Sequence, residues 1–349
     1  YHSMSGLPEG TLYRFKVKAY RKIGGETYYS KYSKRLQLRT KKQKTKKVST
    51  IKKYLKSAIQ PLGKVVYVWG GGWSTDGLGG STEARSMGVS KKWTRFFNAQ
   101  TKDYNYINTQ YQRHDGLDCS GYVGWTIYNI MNTKSGNNGY VMSAKDMARN
   151  YASRGWGKYI KRASVKDYKP GDIMSSACSD CGHVWIVIGE CKDGSVVALH
   201  SSSSQGVQLS GTVAPDGRTK SEAAELAQKY MEQYFPKWSE KFSHRLRDEK
   251  YLSHFCQMRW NVSGKSIMTD PDGYQKMTAE QVLNDLLGPL KEEPEPLPVP
   301  EPEMPPETQP ETPSQPETQK VLEMQSQVKT EEQPEWWLEP ETEQEICVN

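Results

Sequence analysis

The sequence predicts an α+β protein, and three observations carry that prediction. Several stretches repeat apolar residues at helical spacing behind a capping residue. Others run apolar, or alternate, over a few residues between turn formers. The two kinds follow one another without the regular strand–helix–strand alternation that a parallel sheet needs. The chain has 349 residues, long enough for more than one domain, with 10 Trp and 21 Tyr to build a core.

Residues 1–41 form the first unit. In "TLYRFKVKA" (11–19), Tyr13, Phe15, Val17 and Ala19 face one way and Arg14, Lys16 and Lys18 the other, which is a half-buried strand. Gly24–Gly25 then turns the chain into a second strand ending near Thr40. With "GLPEGTLY" ahead of it, this segment resembles the last strands of a fibronectin type III β-sandwich, including its tyrosine corner. Such strands cannot close two sheets by themselves, so the rest of that sandwich is expected upstream. The start carries no signal-peptide pattern and opens in a strand context, as a piece of a longer protein would.

Residues 42–60 read as a basic linker turning helical from Ser49. The body is expected over 61–290. There, Ser143 opens a helix with Ala144, Met147, Ala148 and Tyr151 on one face. Ser221 opens another, and Thr278 with Gln281 forms a capping box ahead of Val282, Leu283, Leu286 and Leu287. The strand signals are "DIM", "HVWIVIGE", "SVVALHS" and "FCQMRWNV". Residues 291–349 hold 12 of the 19 prolines among Glu, Thr and Gln, a composition that cannot bury enough apolar surface to fold and is expected to be disordered.

Charge divides along the same boundary. From Lys291 on there are 16 acidic and 3 basic residues, so a chain of net +8 carries +21 on the rest. That favours a polyanionic setting: nucleic acid, an anionic wall polymer or an acidic glycopeptide. No helix-turn-helix, zinc-finger or RNP pattern supports the first. No apolar run approaches the ~20 residues of a membrane span. Six scattered cysteines are too few for a disulfide scaffold.

Two features carry chemistry. In "GLDCSGYVGWTIYNI" (116–130), Cys119 stands at the start of a helix marked by Val123, Ile127 and Ile130. A helix start favours an anion and can lower a thiol pKa from ~8.5 into roughly 3.5–7.5. Taken alone, Cys119 also reads as a small buried hydrophobe or half of a disulfide. The second feature is "HVWIVIGECKDGSVVALHS", a hairpin that sets His183 and His200 nearly opposite one another, with Cβ atoms about 5 Å apart if directly paired. Two imidazoles so placed supply a base and its orienter, or simply a cross-strand pair on a half-buried sheet.

"DCSG" opening a helix, "KPGD" leading to "HVWIVIG", and "LHSS" on the next strand together resemble the NlpC/P60 superfamily of cell-wall cysteine peptidases. "YVWGG" (67–71) matches that family's upstream tyrosine motif, and the likeness runs over about 61–205, more weakly to 262. The resemblance implies a papain-like domain, an antiparallel sheet packed on helices with the nucleophile at a helix N-terminus. It implies Cys119 as nucleophile, His183 as base and His200 as orienter. Tyr67, Asp118 and Ser120 become the candidates for substrate or oxyanion contacts. The implied substrate is the peptidoglycan stem peptide, cut at the γ-D-glutamyl to diamino-acid bond outside the cell, with no metal or organic cofactor. Tyr67 and Cys119 lie farther apart than is usual in the family, so 72–114 reads as an insertion beside the cleft and 212–250 as a second. Cys178 and Cys181 read as a local disulfide, with zinc the lesser alternative and Cys191 as a further ligand. His114 reads as a surface-loop residue. A CHAP-like amidase or phage-type lysin cutting another wall bond, and a wall-binding protein without turnover, are the rival readings.

Overall fold

The computed structural model describes residues 11–40, 48–110, 112–131, 139–176, 182–203, 205–264 and 266–291. Residues 291–349 separate from the rest as a second unit, and the expectation of disorder there lies almost wholly outside the described residues.

The first strands are β1 (Leu12–Phe15), β2 (Tyr20–Ile23), β3 (Glu26–Tyr29) and β4 (Leu36–Arg39). β1 pairs with β4 and β2 with β3, both antiparallel, as two sections of one long ribbon. Its turn is Gly24–Gly25, both at positive φ (59° and 88°), which a two-residue hairpin turn of this hand requires. Among the described residues no layer covers it: Leu36, Leu38, Tyr28 and Tyr29 are exposed. Val17 is exposed too, so the expected strand is regular only over 12–15.

The boundary expected at residue 60 falls near 48 instead. A short strand β5 (Ser49–Thr50) leads into α1 (Ile51–Ala58), where Thr50 caps the helix by accepting from Lys53 N. Ile51, Tyr54, Leu55 and Ala58 recur at i, i+3, i+4, i+7 and are buried, while Lys52, Lys53 and Lys56 point out. The lysines gave this stretch a linker's composition, but its apolar stripe makes it core.

Next come α2 (Lys91–Ala99), α3 (Cys119–Met131), α4 (Ala144–Ser153) and β6 (Gly157–Ile160). Then follow β7 (Ile173–Ser176), β8 (Val184–Glu190), β9 (Val196–Ser202) and β10 (Gly206–Gly211). The body closes with α5 (Glu222–Tyr234), α6 (Pro236–Ser239), α7 (Lys250–Ser253), β11 (Phe255–Trp260), β12 (Met268–Thr269) and α8 (Ala279–Leu287). One six-stranded sheet runs β10–β9–β8–β7–β11–β6, with every neighbour antiparallel. The architecture is therefore mixed α and β with antiparallel sheets. No described helix is long and apolar enough to cross a membrane.

The caps explain where the helices begin. Ser221 Oγ accepts from Ala224 N ahead of α5, and both bonds of the Thr278–Gln281 capping box are made. α4 buries Ala144, Met147, Ala148 and Tyr151. α3 is buried almost all round, as befits a helix enclosed by other elements. It packs on α1, where Tyr122 Oη donates to Ala58 O at 2.9 Å, and on β8 and β9. Val184, Ile186, Ile188, Val197 and Leu199 share the main core with α3. The opposite face of the sheet buries a smaller cluster of Met174, Trp185, Val187, Val196, Ala198 and Phe255.

Candidate active site

Cys119 is the first residue of α3, buried and not in a disulfide. The helix start is fixed by Asp118, whose Oδ1 accepts from Gly121 N at 2.6 Å while its carbonyl accepts from Tyr122 N at 2.9 Å. That is the bonding of an N-cap. Ser120 Oγ donates to the same Oδ1 at 2.8 Å and accepts from Trp73 Nε1 at 2.9 Å. Burial pushes the Asp118 carboxyl up to about 6, against these bonds, which hold it down. Asp118 and Ser120 thus spend their polar atoms on shaping the helix start.

The "WGGG" turn lies directly against this start. Asp118 N donates to Gly71 O at 3.0 Å, and Leu117 N to Val66 O at 3.3 Å. A Cβ on Gly121 would stand 2.0 Å from Gly71 O, so the helix can approach the turn only as glycine. Tyr67 itself is buried, with its ring edge-on to Tyr106 at 5.4 Å and its carbonyl accepting from Tyr104 Oη. It is the backbone of Gly71, four residues on, that reaches Cys119's helix. The segment expected to be an insertion, 72–114, packs on the same helix: Trp93 meets Trp125 at 6.0 Å, and Gly88 N donates to Asn129 Oδ1 at 2.7 Å. His114 sits apart, exposed and 2.9 Å from Glu83.

The imidazoles come from the hairpin. Ile186 faces Leu199 and Val187 faces Ala198, with a bulge just after. Continued toward the open end, that register sets Trp185 opposite His200 and places His183 one diagonal away on the same face. The pair is therefore offset by two residues from direct opposition, because the bulge and the turn shift the pairing. The rings still meet, with centroids 5.2 Å apart and His183 Nε2 2.9 Å from His200 Nδ1. His200 Nε2 lies 3.0 Å from Ser210 Oγ on β10. Tyr251 of α7 approaches both rings, at 5.7 Å from His183 and 5.9 Å from His200.

Cys119 Sγ donates to Gly182 O at 3.5 Å, one peptide bond before His183. Ser201 Oγ donates to Leu117 O at 2.6 Å and ties the end of β9 to the residues ahead of Cys119. Cys119 Sγ thus reaches the backbone of the residue before His183, and His183 and His200 contact each other. His183 is half-buried at the surface and His200 fully buried. Burial lowers both, His183 to about 3, and the Arg247 charge works in the same direction. Both rings therefore rest neutral.

Ser210, Tyr251 and Arg247 escape sequence reasoning. The run "GVQLSG" after "HSSSSQ" is a short strand signal that would have placed Ser210 beside His200; nothing local marks the other two. Cys178 and Cys181 lie outside the described residues. Cys191 and Cys256 are in no disulfide, and among the described residues no three His, Cys, Asp or Glu side chains gather as a metal site. No protein-family model matches this chain, and no curated protein or solved structure matches it.

Proposed function

We propose that the chain is a cysteine peptidase of the NlpC/P60 kind, with a papain-like body, that hydrolyses peptidoglycan stem peptides at the cell wall. The observation that carries the reading is the convergence of Cys119, at a helix start, on the residue before His183, whose ring is held by His200.

In this reading the thiol turns from Gly182 O to Nδ1 of His183, the ring nitrogen left by the bond at Nε2. One tautomer chain satisfies the rest: His183 Nε2–H donates to His200 Nδ1, and His200 Nε2–H donates to Ser210 Oγ. A neutral His183 is a weak base beside a neutral thiol. Transfer of the proton creates two opposite charges in contact, each stabilising the other, and the α3 dipole favours the thiolate. The thiolate attacks the scissile carbonyl. The Cys119 N–H, in the first turn where intrahelical partners are lacking, is assigned to the oxyanion. His183 returns its proton to the departing amine, leaving a thioester. Water then attacks the thioester with His183 as base, releasing the acid and the thiol.

The +21 carried by residues 1–290 suits an anionic wall polymer. The antiparallel ribbon of residues 11–40 suits the last hairpin of a fibronectin-type sandwich. Cys119→Ala is expected to abolish release of peptides from purified peptidoglycan without changing the circular dichroism spectrum. Mass spectrometry of the released fragments tests the bond: new termini at γ-D-glutamyl support the reading, termini elsewhere in the polymer redirect it, and unchanged release by Cys119→Ala refutes it.

A further inference from the structure

Arg247 lies in the second insertion, close to the imidazole pair. Its backbone is fixed at the end of β10, with Arg247 N donating to Gly211 O at 2.9 Å and Val213 N to Arg247 O at 2.8 Å. Its side chain returns over the hairpin. Nη2 donates to Ser202 Oγ at 3.1 Å and approaches Gln205 Oε1 at 3.4 Å. The guanidinium stands 5.7 Å from the centre of the Tyr251 ring, which itself flanks both imidazoles.

Two facts set this arginine apart. It makes no ion pair among the described residues: both of its side-chain partners are neutral. Its Nε is buried with no hydrogen-bond partner. The nearest acids in sequence, Asp248 and Glu249, are exposed, and Asp248 Oδ1 accepts from Lys250 N. Arg259 is the contrast within the same protein, since Asp167 and Asp172 surround its guanidinium at 2.7–3.2 Å. A partly desolvated cation without a counter-ion is unfavourable, and a carboxylate brought by a ligand removes that cost through charge-assisted bonds.

We infer that Arg247 forms an anion subsite beside the His183–His200 pair and selects ligands that carry a carboxylate next to the group offered to Cys119. The lowering of both histidines by the Arg247 charge agrees with that placement. The choice of a stem-peptide carboxylate rests on the peptidase reading. The subsite itself does not, and it is testable without turnover.

The test compares alkylation of Cys119 in the full chain by iodoacetate, an anion, and iodoacetamide, its neutral counterpart, read by peptide mass spectrometry at low ionic strength. Arg247→Gln is expected to lower the iodoacetate-to-iodoacetamide rate ratio by about two- to tenfold, and Arg247→Lys to keep most of it. An unchanged ratio in a folded Arg247→Gln protein overturns the inference. If that variant does not fold, salt decides in the wild type: the ratio is expected to fall as the Debye length shrinks from about 30 Å to about 3 Å, and an insensitive ratio overturns the inference. With a γ-glutamyl peptide and its α-carboxamide as substrates, Arg247→Gln is expected to raise KM for the carboxylate alone and leave kcat in place. Equal rises on both would also overturn it. A ratio that responds in a protein without hydrolytic activity refutes the peptidase reading and leaves the anion subsite standing.

Discussion

The two ends of the β8–β9 hairpin each present a cysteine, in opposite electrostatic company. At the open end, Cys119 Sγ stands at the start of α3, 3.5 Å from the carbonyl of Gly182, the residue before the neutral His183. At the closed end, Cys191 sits in the turn, where Asp193 and Ser195 are committed to the start of α5. Glu222 N donates to Asp193 Oδ2 at 2.9 Å and Ala223 N to Ser195 Oγ at 3.0 Å. Burial, and after it the Asp193 charge, push the Cys191 thiol up to about 12. Both cysteines are near a helix start, so that feature alone does not make a nucleophile. Both helix starts carry a carboxylate, Asp118 at α3 and Asp193 at α5, so what differs is the imidazole pair that begins one residue beyond Gly182. Asp118 is held in the α3 cap by its bonds to Gly121 and Ser120.

The largest break of this contrast comes from the imidazoles. His183→Ala is expected to lower kcat on peptidoglycan by about 10²–10⁴, the usual weight of a general base. His200→Phe, which removes the orienter, should cost somewhat less, and Cys191→Ser nothing. A Cys191→Ser protein as inactive as His183→Ala would exchange the roles of the two ends.

Alkylation sharpens the same contrast without any substrate. At neutral pH a thiol pushed up to about 12 is almost wholly protonated, so Cys191 should react with iodoacetamide at least about tenfold more slowly than Cys119. Residue-resolved mass spectrometry over time checks this. His183→Ala should slow Cys119 and leave Cys191 unchanged; equal rates in the wild type would remove the case for an activated sulfur.

Local chemistry explains which parts of the molecule could be read from the sequence. The caps at Ser221 and Thr278, the apolar face of α4 and the Gly24–Gly25 turn are written in residues a few positions apart, and all are formed. The place of Cys119 at a helix start and the contact between His183 and His200 followed from one helix signal and one hairpin. The offset of the imidazoles did not, because a bulge between Val187 and Gly189 leaves no composition signal. The core role of α1 was hidden under its lysines. Arg247 reaches the site only because a strand end at Gly211 captures its backbone, a pairing across a long sequence gap that no local pattern encodes. The ribbon of residues 11–40 showed the alternation of a half-buried strand, and Tyr13 and Phe15 are half-buried, but Val17, Leu36 and Leu38 stay exposed, with no facing layer among the described residues.

The smallest expected effect is on stability against pH, where the buried groups at the open end work against one another. His183 and His200 are lowered on folding, so the unfolded chain binds more protons below about 6.5 and both make stability fall as pH drops, His183 until about 3. Asp118 is raised to about 6, so between roughly 4 and 6 the folded chain holds the extra proton and this group makes stability fall as pH rises. Each fully shifted group contributes at most about 1.4 kcal/mol per pH unit, and the half-buried His183 less. Asp118→Asn keeps the oxygen that caps Gly121 and removes the titration. Its unfolding free energy, from urea titrations at pH 4 to 6.5, should therefore rise more steeply with pH than the wild type's. His183→Gln should rise less steeply. The opposite order of slopes would mean that the imidazoles are charged in the folded protein, and a charged His183 could not accept the thiol proton.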